Sequence, residues 1–101
     1  MYQFEVSKKD KLFAIGQQTE RRYYQAPNFD EAFDKLVQLI CEALDGEEEA
    51  QIEQVKESLL QIFEEGKTKS KKIQVKARKP GKITIVATSK RKKYSIQMKE
   101  C

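Results

Sequence analysis

The 101-residue sequence contains no histidine, and this absence excludes several kinds of enzyme chemistry. Without an imidazole, no Ser-His or Cys-His pair can activate a nucleophile, and the side chain that titrates most readily near neutral pH is missing. The two cysteines, Cys41 and Cys101, are far apart in the chain, so zinc would have to be held by distant thiolates and carboxylates. We therefore expect a protein that is not an enzyme and that uses neither a metal nor a cofactor.

Long apolar runs and clustered glycines are absent as well. The four glycines stand singly, which excludes a glycine-rich phosphate-binding loop. No stretch of about 20 apolar residues is present to span a membrane, and the alternating start, Met1 to Val6, is unlike a secretory signal peptide. With only two cysteines, these features predict a reducing, cytoplasmic setting without membrane contact, in which Cys41 is a small buried apolar residue.

The charges that are present are strongly segregated along the chain. Residues 26–66 carry two basic and twelve acidic side chains, whereas residues 67–101 carry thirteen basic side chains and one acidic side chain. The overall net charge of +4 therefore combines an acidic middle of −10 with a C-terminal segment of +12 and a start, residues 1–25, of +2. This distribution predicts surfaces of opposite sign and charged partners.

The first 25 residues have the pattern of β-strands. Apolar and polar residues alternate over residues 2–7, which predicts a strand with Tyr2, Phe4 and Val6 on one face. Residues 7–10 are expected to form a turn. Residues 11–16 are apolar enough to lie inside a sheet, and residues 21–25 are expected to form a third, shorter strand.

Two amphipathic helices are predicted in the acidic middle of the chain. The first runs from about residue 29 to residue 44, begins after the N-cap residue Asn28 and ends at Asp45-Gly46. The second runs from about residue 47 to residue 65 and ends at Gly66. Their apolar stripes consist of Phe29, Phe33, Leu36, Val37, Ile40 and Leu44 in the first helix and of Ile52, Val55, Leu59, Ile62 and Phe63 in the second.

Three further strands are predicted in the basic C-terminal segment, because apolar residues alternate over residues 73–77, 83–87 and 94–98. Loops are expected at residues 79–81 and 89–92. The expected register keeps the apolar residues on one face, since a slip by one residue would expose them. The expected pairs are Arg78 with Lys82, Ala77 with Ile83, Val75 with Ile85, Ala87 with Tyr94 and Ile85 with Ile96. A two-residue Pro-Gly loop is the alternative, and it would place Ala77 opposite Thr84.

These elements predict a single α+β domain over residues 1–101. Their order is β-β-(β)-α-α-β-β-β, and the expected architecture is a two-layer sandwich in which two helices cover one face of a mainly antiparallel sheet. The other face would then carry most of the C-terminal cations.

The leading functional hypothesis is a small binding module whose basic C-terminal meander contacts the phosphate backbone of DNA or RNA. The sequence has no helix-turn-helix, zinc finger or aromatic sheet motif, so the hypothesis depends on charge alone. A basic sheet face that is merely solvated, or that faces a protein, is the competing interpretation. The candidate phosphate contacts are Lys72, Lys76, Arg78, Lys82, Arg91, Lys93 and Lys99.

A second hypothesis is a protein-interaction or regulatory adaptor, of the size that phages and mobile elements encode. Its acidic helices, with Glu49, Glu53 and Glu57 at four-residue spacing, would bind a basic protein partner, or an exposed edge strand would pair with one. The plain alternative is a solvated helix face. Opposite charges on two faces also predict that a homodimer could form by pairing the acidic and basic patches.

Overall fold

Five strands form one antiparallel sheet in the computed structural model, which describes residues 1–11 and 19–101. The order across the sheet is β2-β1-β5-β4-β3, so the two ends of the chain meet at its centre, where β1 pairs with β5. The strands are β1 (Tyr2–Asp10), β2 (Thr19–Ala26), β3 (Ile73–Lys79), β4 (Lys82–Thr88) and β5 (Lys92–Glu100).

Two helices connect β2 to β3. Helix α1 (Phe29–Ala43) begins as predicted, because the side chain of Asn28 accepts a hydrogen bond of 2.9 Å from the backbone N–H of Glu31. Helix α2 (Ile52–Glu65) ends at Gly66, whose φ of 78° is the left-handed conformation that glycine adopts without strain. The predicted start of the second helix at residue 47 is wrong, since a short 3₁₀ turn, Glu48–Ala50, precedes α2.

The helices and one sheet face enclose a single apolar core, which confirms the α+β two-layer sandwich. Burial of each large aliphatic side chain contributes about 1.5–3 kcal/mol to folding. Two members of the predicted helix stripes lie outside this core, because Ile52 is 56% exposed and Phe29 is 43% exposed. The largest fully buried side chains are Phe4, Leu36, Leu39, Ile40, Leu44, Leu59, Ile62, Ile73, Ile85 and Ile96.

The N-terminal hairpin differs from the prediction at its turn. The expected turn at residues 7–10 is wrong, because β1 continues to Asp10 and residues 7–9 have strand partners on both sides. Ser7, for example, lies opposite Arg21 and Ser95. The hydrogen bonds and side-chain contacts of strand pairing on both sides stabilise an extended conformation here, although the residues are polar. The predicted third strand is confirmed and lengthened as β2, whereas the predicted strand at residues 11–16 falls almost wholly outside the described residues.

The C-terminal meander has the predicted register in one hairpin and a different register in part of the other. Across β4 and β5, Ala87 lies opposite Tyr94 and Ile85 opposite Ile96, as expected. The hairpin of β3 and β4 instead turns through only Pro80 and Gly81, where Gly81 has a φ of 73°.

The two-residue turn shifts the residues next to it by one position. Ala77 therefore lies opposite Thr84 and Arg78 opposite Ile83, which is the alternative register rather than the expected one. A β-bulge between Val75 and Ala77 then restores the predicted pair of Val75 with Ile85. The bulge adds one residue to β3, so both the tight turn and an apolar inner face are accommodated.

Candidate nucleic-acid interface

The sheet face turned away from the helices is uncovered by any described element, and we call it the open face. Met98 and Ile83 point into the core, so their neighbours Lys99 and Lys82 lie on the open face. The register assigns to this face Gln3, Glu5, Ser7 and Lys9 of β1, Thr19, Arg21, Tyr23 and Gln25 of β2, Gln74, Ala77 and Lys79 of β3, Lys82, Thr84, Val86 and Thr88 of β4, and Lys93, Ser95, Gln97 and Lys99 of β5.

Three lysines form a line across the open face. Lys79 lies opposite Lys82, and Lys82 lies opposite Lys99, so three adjacent strands each contribute one cation. Adjacent strands are about 4.8 Å apart, which places the outer two backbone positions roughly 10 Å from each other. We call Lys79, Lys82 and Lys99 the lysine row.

A separate pair of cations lies at the opposite end of the open face. Lys9 of β1 lies opposite Lys93 of β5. Lys99 lies six positions after Lys93 on β5, which corresponds to roughly 20 Å along an extended strand. The surface between the two sets is nearly neutral, with Thr84, Ser95 and Gln97 at its centre and Val86 packed to 7% exposure.

The ammonium groups of the lysine row have no counterion within the described part of the chain, where the ion pairs involve other residues. On the open face itself, one ion pair joins Arg21 to Glu5 at 3.2 Å. Like charges placed directly opposite each other on neighbouring strands destabilise a sheet. The lysine row is therefore a concentration of uncompensated positive charge on a surface exposed to solvent.

Arg78 does not belong to the open face, contrary to the sequence prediction. Because the two-residue turn pairs it with Ile83, its side chain lies on the helix side of the sheet. There Nη1 donates to the carbonyl oxygen of Ile62 and Nη2 to that of Phe63, both at 3.2 Å. Helix α2 has no basic residue in its last turn, so this guanidinium supplies the positive charge that the helix end favours.

Lys72 is also engaged within the protein. It forms ion pairs with Glu47 and, at 3.4 Å, with Glu49, which holds the start of β3 against the segment between the helices. Glu47 also accepts a hydrogen bond from the backbone N–H of Lys90 at 3.0 Å. The hydrogen bond from Lys72 lowers the pKa of Glu47, and the same bond raises the pKa of Lys72.

The remaining predicted cations lie in three locations. Lys82, Lys93 and Lys99 lie on the open face as expected, whereas Lys76 is exposed at the bulge and Arg91 is exposed in the loop between β4 and β5. The predicted phosphate contacts did not include Lys79, Lys9 or Arg21. The Pro80-Gly81 sequence could have indicated that Lys79 lies on the open face, because a two-residue loop places residues 79 and 82 opposite each other.

Three of the four tyrosines, those at positions 23, 24 and 94, occupy different environments. Tyr23 is 70% exposed on the open face, whereas the ring of Tyr24, on the helix side of β2, lies 3.9 Å from the ammonium group of Lys35. Tyr94 is in the core, as predicted, and its hydroxyl donates to Glu42 at 2.8 Å. Of these three rings, Tyr23 alone presents a surface on the open face.

The three glutamates proposed to bind a basic partner differ in their contacts. Glu49 pairs with Lys72, whereas Glu53 and Glu57 are exposed on α2. Within the ranges 1–11 and 19–101, no group of three or more histidine, cysteine or acidic side chains is arranged to hold a metal ion. No helix in the described part of the chain is both long enough and apolar enough to cross a membrane.

Comparison of the chain with models of protein families, with curated proteins and with solved structures finds no match.

Proposed function

We propose that this chain is a non-enzymatic module whose open face binds the phosphate backbone of a nucleic acid. The lysine row is the observation that carries the proposal, because three like charges on adjacent strands have no counterion among the described residues. A bound polyanion would replace this repulsion with attraction. Release of counterions from the nucleic acid would then favour binding, independently of its sequence.

The distribution of polar groups over the open face supports a backbone contact rather than recognition of base edges. Cations lie at both ends of the face, and hydroxyl and amide groups such as Thr84, Ser95 and Gln97 lie between them. Such side chains commonly donate hydrogen bonds to phosphate oxygens. These contacts position a nucleic acid but do not depend on its sequence. The proposed contacts are Lys79, Lys82 and Lys99 with Lys9 and Lys93, whereas Arg78 and Lys72 are left out because they are engaged internally.

The proposal is tested by fluorescence anisotropy with labelled random oligonucleotides at several salt concentrations. The double variant Lys82→Gln/Lys99→Gln should bind more weakly than the unmodified protein. The slope of log affinity against log salt should become shallower by about 1.4 for a single strand, because each phosphate contact contributes about 0.7. Lys56→Gln/Lys71→Gln is the matched control, since it removes the same charge from residues outside the open face.

Two results would contradict the proposal. Absence of binding at low salt would exclude nucleic-acid contact altogether. Equal losses in the two double variants would mean that net charge, rather than the open face, determines affinity. A large loss confined to Lys82→Gln/Lys99→Gln would support the assignment.

A second candidate function is binding of a protein partner by the outer surface of α2. Ile52 and Leu60 are 56% and 49% exposed on α2. Ile52 precedes Glu53 directly, and Leu60 lies three residues after Glu57, one turn along the same face. Exposed aliphatic side chains flanked by carboxylates fit a basic amphipathic helix. Titration with a lysine- and leucine-rich helical peptide should therefore show binding that Glu53→Gln/Glu57→Gln weakens, and the same variant should leave oligonucleotide affinity unchanged.

A further inference from the structure

A surface groove of about 480 Å³ opens at one end of the sandwich, beside the turn between β3 and β4. Its volume is within the range of small-ligand sites. The groove combines two kinds of side chain that the sequence places far apart. Three aromatic residues and three cations line it: Tyr2, Phe29, Phe63, Arg78, Lys79 and Lys82.

The aromatic part of the groove is held in place by ring contacts. The ring of Phe29 makes edge contacts with Tyr2 and Phe63, with centroid distances of 6.0 and 5.4 Å. Phe29 nevertheless remains 43% exposed, although it belongs to the predicted apolar stripe of α1. A ring that is fixed by its neighbours but accessible to solvent can stack on a ligand with little loss of side-chain entropy.

The cationic part of the groove is continuous with the lysine row. Lys79 and Lys82 line the groove and are also two of the three members of that row. Arg78 is fixed by its hydrogen bonds to Ile62 and Phe63, which use two of the five N–H groups of a guanidinium. A ligand in the groove would therefore meet aromatic surface on one side and positive charge on the other.

We infer that the groove takes one base of a single-stranded nucleic acid whose neighbouring phosphates lie along the lysine row. This inference rests on the proposed function, and it adds that the preferred form is single-stranded. Exposed aromatic rings beside a basic surface are the combination that binds single strands, because bases stack on the rings while cations follow the backbone. A duplex keeps its bases stacked in its interior and cannot offer one to the groove.

Glu100 also lines the groove and is its one acidic side chain. Its negative charge is outnumbered by Lys79 and Lys82, so phosphates are still attracted. A carboxylate in such a site can accept a hydrogen bond from an exocyclic amino group of a base. The groove is therefore matched to a base that carries phosphates, rather than to a simple inorganic anion.

The inference is tested with two labelled single strands of equal length, one intact and one abasic throughout. Both strands carry the same phosphates, so the proposed function alone predicts equal affinity. Occupation of the groove by a base predicts that the intact strand binds about tenfold more tightly, as expected for stacking of one base. The intact strand should also bind more tightly than a duplex of the same length.

Two variants assign any base-dependent affinity to a location. Phe29→Leu keeps an apolar side chain in α1 but removes the ring, and it should remove most of the difference between intact and abasic strands. Phe29→Tyr keeps the ring and should preserve that difference. Tyr23→Leu removes the exposed ring of the open face and should also preserve it. Circular dichroism and thermal unfolding establish that each variant is folded.

The outcomes separate this inference from the proposed function. Equal, salt-sensitive binding of both strands would overturn the groove and leave the phosphate interface standing. Base-dependent affinity that is lost in Tyr23→Leu but kept in Phe29→Leu would move the stacking site to the open face and overturn the inference. Absence of binding by either strand would overturn both proposals. If Phe29→Leu does not fold, the strand comparison is made on the unmodified protein and on Tyr23→Leu. Equal affinity for the two strands, or loss of the base dependence in Tyr23→Leu, would then overturn the groove, whereas a base dependence that survives in Tyr23→Leu would support it.

Discussion

The Arg78 guanidinium of β3 donates a hydrogen bond of 3.2 Å to the backbone carbonyl oxygen of Ile62 in α2. This contact joins the edge strand β3 to the end of the second helix. It exists because the bulge at Lys76 and the tight turn at Pro80-Gly81 bring Arg78 to the inner face of the sheet. The residue that the charge pattern assigned to a polyanion therefore has a structural role.

We predict that Arg78→Gln destabilises the protein by about 1 kcal/mol, because a charged donor at a helix C-terminus is replaced by a neutral one. Urea unfolding at neutral pH measures the change. Lys79→Gln is the matched control, since the neighbouring side chain lies on the open face and should cost little or nothing. Equal destabilisation by the two substitutions would contradict a specific role for Arg78 at the end of α2.

Local sequence patterns predict helix α1 but do not predict the position of the Arg78 side chain. Helix α1 was predictable because its start and inner face depend on neighbouring residues, as the hydrogen bond between Asn28 and Glu31 illustrates. The position of Arg78 was not, because it depends on whether the hairpin turns through two residues or three. Hydrophobic alternation alone favours the regular ladder, and a bulge at Lys76 satisfies the same alternation in another way.

The candidate site was predictable in its charge but not in its composition. The basic segment indicated a cationic sheet face, and Lys82, Lys93 and Lys99 do lie on it. The groove beside that face could not be inferred, because Tyr2, Phe29 and Phe63 belong to three separate elements that meet only in the folded protein. Lys9 lies on the same face for a similar reason, since β1 pairs with the distant strand β5.

The lysine row should reduce the stability of the protein in the absence of a ligand. Replacing Lys82 with threonine removes the central charge of the row, so we expect Lys82→Thr to increase the free energy of unfolding by roughly 0.2–1 kcal/mol at low salt. The gain should shrink as salt screens the remaining charges. Urea unfolding at two salt concentrations measures both effects, and Lys71→Gln serves as a control outside the open face. A loss of stability in Lys82→Thr at low salt would argue against repulsion within the row.

Glu42 should make part of the stability dependent on pH. Burial alone would raise the pKa of Glu42, but hydrogen bonds from Tyr94 and Lys8 outweigh burial and lower its pKa. The ammonium group of Lys8 donates to the Glu42 carboxylate at 3.1 Å. Burial, together with the nearby Glu42 carboxylate, raises the pKa of Tyr94, so the phenol keeps its proton and remains a donor. A carboxyl group whose pKa is lowered on folding stabilises the folded state above its ordinary pKa of about 4.3, and this contribution is lost as the pH falls through its folded value.

We therefore expect Glu42→Gln to be less stable than the unmodified protein at pH 7 and nearly as stable in acid. The difference at pH 7 should be below about 1 kcal/mol, because the carboxylate is about half exposed and solvent screens the pair with Lys8. Urea unfolding between neutral pH and about pH 3 measures the convergence. Tyr94→Phe, which removes the hydrogen bond to Glu42, should also lower the free energy of unfolding at pH 7. A constant difference over the whole pH range would show that packing, rather than ionisation of Glu42, accounts for the effect.

The two thiols should differ in reactivity, because they lie in different environments. Cys41 is half-buried on α1 beside the apolar core, and burial raises the pKa of its thiol, whereas Cys101 is exposed at the end of the chain. Since the thiolate is the reactive form, we expect modification of Cys41 at pH 8 to be roughly tenfold slower than modification of Cys101. Cys101→Ser should remove the fast phase of the reaction with an aromatic disulfide reagent, and Cys41→Ser should remove the slow phase. In urea the two thiols should react at similar rates, so a slow phase that persists after unfolding would exclude burial in the folded protein as its cause.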